Sequence, residues 1–466
     1  MTATQDQLNV DFVRSHFPAI VNNPEYIFSE NAGGSQVLAS VVSRLSSYLL
    51  ESNVQMAAYP LAHTAAAKVE RGTYAAAFLV GADSKDEVLL GQSATQIAEN
   101  MARMIERTLE KRREGEPGET WNEGDEIIVS QSDHETNIGA WARLAARNKL
   151  TLKVWPVTPL PSSQGGSDSN PYAVGLDPAV LSTLLTPRTR LVAFTGCSNV
   201  LGTFTPIREI TSLVASKTGG KALVAVDCVA FAPHRPMRPK EWGVDMAIFS
   251  LYKTYGPHIG IGYVAPRARD QWFGKLNHFF LHDAQGAGTY PYTPSSQQYE
   301  LIYSITAVAD YLVSLADANK REEDWTQVYT SPQHRQLLDA AFAKIARHEE
   351  ELQRILVDFL VSQHPRGVRI VGSESHRAEI RAPTVAFVVV DKEGKPQPLS
   401  KRVHQALVED NKLGAQQGHM YAYRLVEKLG LDIQDGVVRV SFVHYNTTGE
   451  VEQFCAALGK VLDRLV

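Results

Sequence analysis

The sequence predicts an α/β protein. A mostly parallel, helix-covered sheet is expected over residues 31–310 and a smaller α+β domain over residues 311–466, with a helix-rich lead-in over residues 1–30 that packs on the smaller domain. Two observations predict this. Short apolar runs rich in β-branched residues (DEIIVSQ, LTLKVWPV, TRLVAFTG, KALVAVD, VDMAIFS and GIGYVA) are separated by longer connections, as in a sheet wound with helices. After about residue 310 the pattern changes to one long helical segment from His334 to Gln363, followed by the strand-like VRIVG, TVAFVVV and VVRVSFVHY. Clefts form where two such units meet.

The elements follow in order. Asn31-Ala-Gly-Gly-Ser35 is a cluster of small turn-forming residues. The strand-like EVLL runs into Gly91-Gln-Ser-Ala-Thr-Gln96, where Ser93 and Gln96 have capping-box spacing and predict a helix start. Ile97, Met101, Ile105 and Leu109 then recur every four positions and form one buried stripe. The polar KRREGEPGETWNEGDE reads as a surface loop, and so does LPSSQGGSDSNPY. Near the end, Thr447-Thr-Gly-Glu450 is a second capping-box arrangement, opening a final amphipathic helix with Val451, Phe454 and Leu458 inward.

Composition removes several classes of function. The chain has 466 residues, 44% of them apolar and 21% charged, which suffices for a large core. Its net charge of −5 is modest and its Lys and Arg are scattered, so neither a nucleic-acid groove nor an anionic membrane surface is expected as partner. No apolar run reaches bilayer length, and MTATQDQLNVDFVRSHF lacks the layout of a signal peptide, so a cytoplasmic protein is expected. Cys197, Cys228 and Cys455 are too few and too far apart for a disulfide framework or a closed zinc site; reduced thiols and no metal are expected.

Ligands of open α/β sheets bind beyond the carboxyl ends of the strands. The polar residues that follow the apolar runs are His134, Ser198-Asn199, Asp227, Ser250 and Lys253. Pyridoxal phosphate needs such groups in one place: an amine for its aldehyde, a carboxylate for its pyridine nitrogen, a donor for its phenolic oxygen, a ring to stack on and a phosphate cradle. Lys253 supplies the amine and Asp227 the carboxylate. His134 stacks and relays protons, and Asn199 donates to the phenolic oxygen. The N–H groups of Ala94 and Thr95 at a helix N-terminus, with the hydroxyls of Thr95 and Ser250, cradle the phosphate. Each residue has a plainer alternative, respectively a surface lysine, a turn-capping Asp, a core histidine, a turn Asn and an ordinary helix cap. Their shared strand-end position favours the cofactor.

In this order along the chain, Asn31-Ala32, Ala94-Thr95, Asp133-His134, Ser198-Asn199, Asp227, Ser250-x-x-Lys253 with Gly256-Pro257, Gly418-His419 and Arg439-Val-Ser441 resemble the aminotransferase class V group, whose best-known members are the cysteine desulfurases. The resemblance implies a fold type I pyridoxal-phosphate enzyme with a seven-stranded-type sheet, usually a homodimer with active sites shared at the subunit interface. It further implies that Arg439 grips the substrate α-carboxylate, with Asn31 assisting. Where a desulfurase carries its sulfur-accepting cysteine, three residues after the glycine of the Gly-His loop, this chain has Tyr421. Tyr252 stands where histidine is common, Ala230 where glutamine is common, and Gln416 where arginine is frequent. These departures argue against desulfuration, and the His-Arg-Pro, Tyr-Lys-x-Tyr-Gly-Pro-His and Val-His-Tyr-Asn-Thr segments resemble a branch of fungal secondary-metabolism enzymes that includes a loline-pathway Mannich cyclase.

The expected reaction is therefore on an α-amino acid, which replaces Lys253 on the cofactor as an external aldimine and loses its α-proton or CO₂ to give a quinonoid. The favoured outcome is decarboxylative Mannich-type ring closure. The alternatives are a C–S β-lyase, an epimerase, an aminotransferase, or a catalytically idle structural member of the family. Tyr59, Tyr252, Tyr255, Tyr292 and Tyr421 are possible aromatic walls for a cationic or apolar substrate, or equally core tyrosines.

Overall fold

A computed structural model describes residues 7–282, 288–319 and 324–466. Seven strands build the central sheet: β1 (Val88–Gly91), β2 (Glu126–Ser130), β3 (Thr151–Trp155), β4 (Thr189–Thr195), β5 (Leu223–Asp227), β6 (Met246–Ser250) and β7 (Gly260–Val264). Their spatial order is β1-β7-β6-β5-β4-β2-β3. Strands β3, β2, β4, β5 and β6 pair in parallel, and β7 runs antiparallel to both β6 and β1. Every residue of β2, β5, β6 and β7 is buried, as a sheet covered on both faces requires.

The two-residue period of the strands divides the core. Ile128, Val192 and Phe194 face one apolar layer, while Ile127, Val129, Leu191 and Ala193 face the other. The second layer receives the stripe of the helix Ala94–Arg113, whose Ile97, Met101, Ile105 and Leu109 are all buried there. The first is covered by the helices Pro60–Val80 and Tyr299–Ala316. From β3 the chain crosses back over β2 to begin β4, so the strand order reverses between β2 and β4. That reversal opens a crevice at their carboxyl ends.

The smaller sheet contains β8 (Val368–Val371), β9 (Thr384–Val389), β10 (Gln416–Gly418) and β11 (Val437–Ser441), ordered β8-β9-β11-β10 and antiparallel throughout. The helix Pro332–Ser362 links the two units: Leu338, Phe342 and Ile345 enter the large core, and Leu352, Leu356 and Leu360 enter the core of the smaller sheet. The lead-in touches both units rather than the smaller one alone. Val13, Phe17 and Ile20 join the large core, and Ile27 joins the smaller one. Phe17 is drawn inward because Tyr255, Tyr311, His444 and Tyr445 surround it with edge-on rings.

One strand expectation changes. LTLKVWPV is not one strand, because Pro156 has no N–H for the ladder; β3 ends at Trp155, and Val157–Pro159 turns away to pair with Val174–Leu176. LPSSQGGSDSNPY is thus the connection within that hairpin. No helix among the described residues is long and apolar enough to cross a membrane.

Candidate functional site

Four of the five parallel strands deliver polar groups to the crevice. Strand β2 leads into Asp133-His134, β4 into Cys197-Ser198-Asn199, β5 ends on Asp227, and β6 ends on Ser250, from which a single 3₁₀ turn places Lys253. Ala94, Thr95, His134, Asn199, Asp227, Ser250 and Lys253 line one cavity of about 450 Å³, together with Thr136, Thr195, Cys197, Ala230 and Tyr252. Above it opens a wider cleft of about 1250 Å³, bordered by Glu30, Gly33, Tyr252, Gln416, His419, Tyr421 and Arg439 among others.

The helix N-terminus reaches the cavity because strand β7 lets it. Ser93 caps the helix by accepting from the Gln96 N–H at 3.1 Å, while the Gln96 side chain accepts from Gln92 N–H at 3.0 Å. Ala94 and Thr95, as first helical residues, have N–H groups without an intrahelical acceptor. A Cβ on Gly260 would lie 2.5 Å from the Ser93 carbonyl carbon and 2.7 Å from Ala94 N, so the helix end rests on a position that tolerates only glycine. Gly260 pairs with Ser250, which sets that helix end beside the strand carrying Lys253. A second helix N-terminus converges there, with the Thr95 and Thr136 hydroxyls 2.9 Å apart. We expect Gly260→Ala to destabilise the protein by about 1–3 kcal/mol through overpacking and to weaken binding of phosphate-bearing ligands, measurable by denaturant melts and calorimetry.

Burial shifts the ionisable groups. Lys253 is pulled down to about 8, by burial first and Arg439 next, against Asp227 and Glu30. Its ammonium lies 5.7 Å from the centre of the Tyr252 ring, so the tyrosine in the usual histidine position faces the amine with its π cloud. Asp227 is pushed up to about 6 by burial, while the Val229 N–H, donating at 2.8 Å, and Lys253 favour its charged form. His134 is held near 4 by burial, then by Lys253 and Arg439. Its Nδ1 accepts from the Thr136 N–H at 3.1 Å, which leaves the proton of the neutral ring on Nε2. Tyr421 lies against this ring, centroids 5.0 Å apart and planes 29° apart.

These shifts predict the pH dependence of the cofactor-free protein. The folded chain binds the Asp227 proton up to about pH 6 and the unfolded chain only up to 3.8, a contribution that lowers stability by about 3 kcal/mol as pH rises across that window, and His134, whose proton the unfolded chain keeps up to 6.5 and the folded chain only up to about 4, opposes it by a similar amount. The unfolded chain keeps the Lys253 proton up to 10.5 and the folded chain releases it near 8, a contribution that raises stability by about 3 kcal/mol over that range and is opposed above pH 9 by the buried cysteines, which stay protonated in the folded chain. Urea melts of wild type against Asp227→Asn between about pH 4 and 6, and against Lys253→Met between about pH 8 and 9, read each contribution as a difference.

Not every expected residue points into the cavity. Asn31 is committed elsewhere: its Nδ2 donates to the carbonyls of Phe28 at 2.7 Å and Ser441 at 2.8 Å, and its Oδ1 accepts from the Tyr445 hydroxyl. It pins the lead-in to β11 and has no donor to spare for a carboxylate. Asn199 Nδ2 donates to the Met420 carbonyl at 2.8 Å, and its Oδ1 is buried without a partner. One N–H of this amide is thus spent on the loop across the mouth. Tyr59 precedes the helix Pro60–Val80, is 44% exposed, and does not line the cavity of its own chain. Tyr255 is a core residue whose hydroxyl donates to the Pro233 carbonyl at 3.0 Å, and Tyr292 lies against Phe273.

A family model for class-V aminotransferases matches residues 27–454. The chain belongs to the aminotransferase class-V family. An aminotransferase-like protein of Gibberella zeae is 37% identical over 464 residues, which is 98% of this chain and 100% of that protein. A cysteine desulfurase-like protein of Aspergillus flavus is 30% identical over 472 residues, 99% of this chain and 93% of that protein. The cysteine desulfurase CsdA of Escherichia coli shares the fold at a TM-score of 0.72 and 20% identity, covering 98% of this chain and 99% of that one. This member of the class-V family is therefore a fold type I enzyme dependent on pyridoxal phosphate.

The cavity fits that cofactor. A buried amine and a buried carboxylate face one space, and free helix N–H groups reach it over a glycine that admits no side chain. Sequence reasoning missed Thr136 although it opens a helix with its own buried stripe of Ile138, Trp141 and Leu144, because it meets Thr95 only through folding. It also missed Glu30, whose carboxylate pairs with Arg439 across the cleft.

Proposed function

We propose that this class-V enzyme uses its cofactor to make an α-amino acid nucleophilic at carbon, joining it to an electrophilic carbon, with decarboxylative Mannich-type cyclisation as the favoured form, and does not transfer sulfur. The observation that carries this reading is the absence of a reactive thiol. Tyr421 occupies the loop position of the sulfur acceptor, and all three cysteines are buried. Burial pushes the Cys197 and Cys455 thiols up to about 12 and raises Cys228 well above its ordinary range, so none is a thiolate at neutral pH.

When bound, pyridoxal phosphate supplies an electrophilic carbonyl and an electron sink for the α-carbon. The protein does the rest. Lys253 holds the cofactor and afterwards, as a free amine of lowered pKa, carries a proton to or from the substrate α-carbon. Asp227 stabilises positive charge on the pyridine nitrogen. His134, neutral with its proton on Nε2, would lie against the bound ring, and Arg439 would orient the α-carboxylate with its planar fork.

Product analysis tests the reading. Holoenzyme given L-cysteine is expected to release neither sulfide nor alanine. Given amino acids that carry or meet an aldehyde or iminium carbon, it is expected to yield a coupled or cyclised amine, with or without CO₂ loss. A keto acid with pyridoxamine phosphate would instead identify an aminotransferase, a racemised acid an epimerase, and pyruvate with a thiol a β-lyase.

The working unit is a homodimer. Val42, Leu49, Leu50, Met56, Tyr59 and Leu61 form an exposed apolar stretch, Leu50 at 86%, that a second copy would cover. Tyr59 would then face the neighbouring subunit instead of its own cavity. Leu50→Asp is expected to shift the protein to monomer in analytical ultracentrifugation; an unchanged monomeric mass in both proteins would exclude the dimer.

A further inference from the structure

The guanidinium that should receive the substrate carboxylate is already held from within. Arg439 Nη2 donates to Glu30 Oε1 at 2.5 Å, Nη1 donates to the Asn199 carbonyl at 3.1 Å, and the buried Nε has no hydrogen-bond partner. The Arg439 side chain is 4% exposed and that of Glu30 is 28% exposed, so a fixed cation in the wall is met by a carboxylate that reaches in from the cleft. On the neighbouring strand, Gln416 stands opposite Arg439 where a second cation is frequent in the family, so that strand adds no positive charge beside the guanidinium.

The seat of Glu30 is made by its own turn. A Cβ on Gly33 would lie 2.0 Å from Glu30 Oε2, so the bare glycine leaves the space that the carboxylate fills. The Glu30 backbone is bridged to Ser441, and the Asn31 N–H donates to the Ser441 carbonyl at 3.3 Å. The backbone is therefore pinned, and only the side chain is free to leave for the open cleft.

We propose that Glu30 is an internal carboxylate ligand of Arg439 that the substrate α-carboxylate displaces, so that Glu30 sets how tightly and how selectively the site accepts carboxylates. This rests on Arg439 being the grip for the substrate carboxylate. Two carboxylates on one guanidinium repel each other, so a substrate must exchange with Glu30 instead of binding beside it. The released Glu30 side chain enters water, where its charge costs little. Simple carboxylates compete poorly, and a substrate wins by adding its contacts to the cofactor; amides and esters, lacking the charge, do not displace Glu30.

The test is calorimetric binding of propionate, which has no amino group to react, to the holoenzyme. Glu30→Gln is expected to bind propionate about tenfold more tightly than wild type, a difference of one decade in Kd. Gly33→Ala, which crowds the Glu30 seat, should shift affinity in the same direction, and in an Arg439→Gln background Glu30→Gln should change nothing. Unchanged or weaker propionate binding in Glu30→Gln overturns the proposal, as does an undiminished gain without Arg439, or no binding in either protein. Failure of the cofactor reading would show separately, as wild-type protein without the absorbance of lysine-bound cofactor.

Discussion

Replacing Lys253 by alanine is expected to abolish the visible absorbance of lysine-bound cofactor and to lower turnover of amino-acid substrates by more than about 10³-fold, since a positioned proton-transfer group alone contributes roughly 10²–10⁴-fold. Among the described residues Lys253 is the one lysine that is buried, and no second amine lines the cavity to replace it. Its burial, which pulls the amine down to about 8, leaves a neutral fraction near pH 7 that an exposed lysine lacks. The loss should not come from unfolding, because the substitution removes a poorly solvated cation from the interior. Circular dichroism and a denaturant melt on the same preparation separate the two effects. A Lys253→Ala protein that keeps the absorbance band would place the anchor elsewhere.

Asp227→Asn is expected to retain cofactor on Lys253 while lowering turnover by about 10²–10³-fold, the usual range for removing one preorganised electrostatic group. The shape is conserved: the Asn carbonyl oxygen still accepts from the Val229 N–H, which now holds Asp227 Oδ1 at 2.8 Å. What is lost is the charge. Asp227 is 4% exposed, and the cation that most favours its ionised form is the ammonium of Lys253. With Lys253 committed to the cofactor, the buried carboxylate would need another positive group, and a protonated ring nitrogen would be such a group. Steady-state rates within about threefold of wild type, with cofactor content equal, would remove Asp227 from the chemistry.

The loop across the mouth explains why the missing loop cysteine was legible but the setting of the residue in its place was not. Tyr421 could be read by counting from Gly418. Nothing local foretold that Met420 and Tyr421 both take left-handed backbone conformations, with φ of +48° and +61°, held by the Asn199 amide and by the Glu135 N–H donating to the Tyr421 carbonyl at 2.9 Å. The partners come from the ends of β4 and β2, more than two hundred residues away in sequence.

By itself the sequence determined the alternating strands of the large sheet, the capped helix that begins at Ser93, and the strand-end positions of His134, Asn199, Asp227, Ser250 and Lys253. These rest on signals written within a few residues: a short apolar run rich in β-branched residues, an i to i+3 cap, a polar residue directly after an apolar run. Tertiary structure alone decided that Asn31 is a brace, that Tyr59 lies outside its own cavity, that Thr136 meets Thr95, and that Glu30 holds Arg439. Glu30 and Arg439 are separated by 409 residues, and their pairing depends on how the lead-in lies along β11. A contact set by the docking of two distant segments leaves no periodicity in either one, so the sequence carries both residues without announcing that they meet.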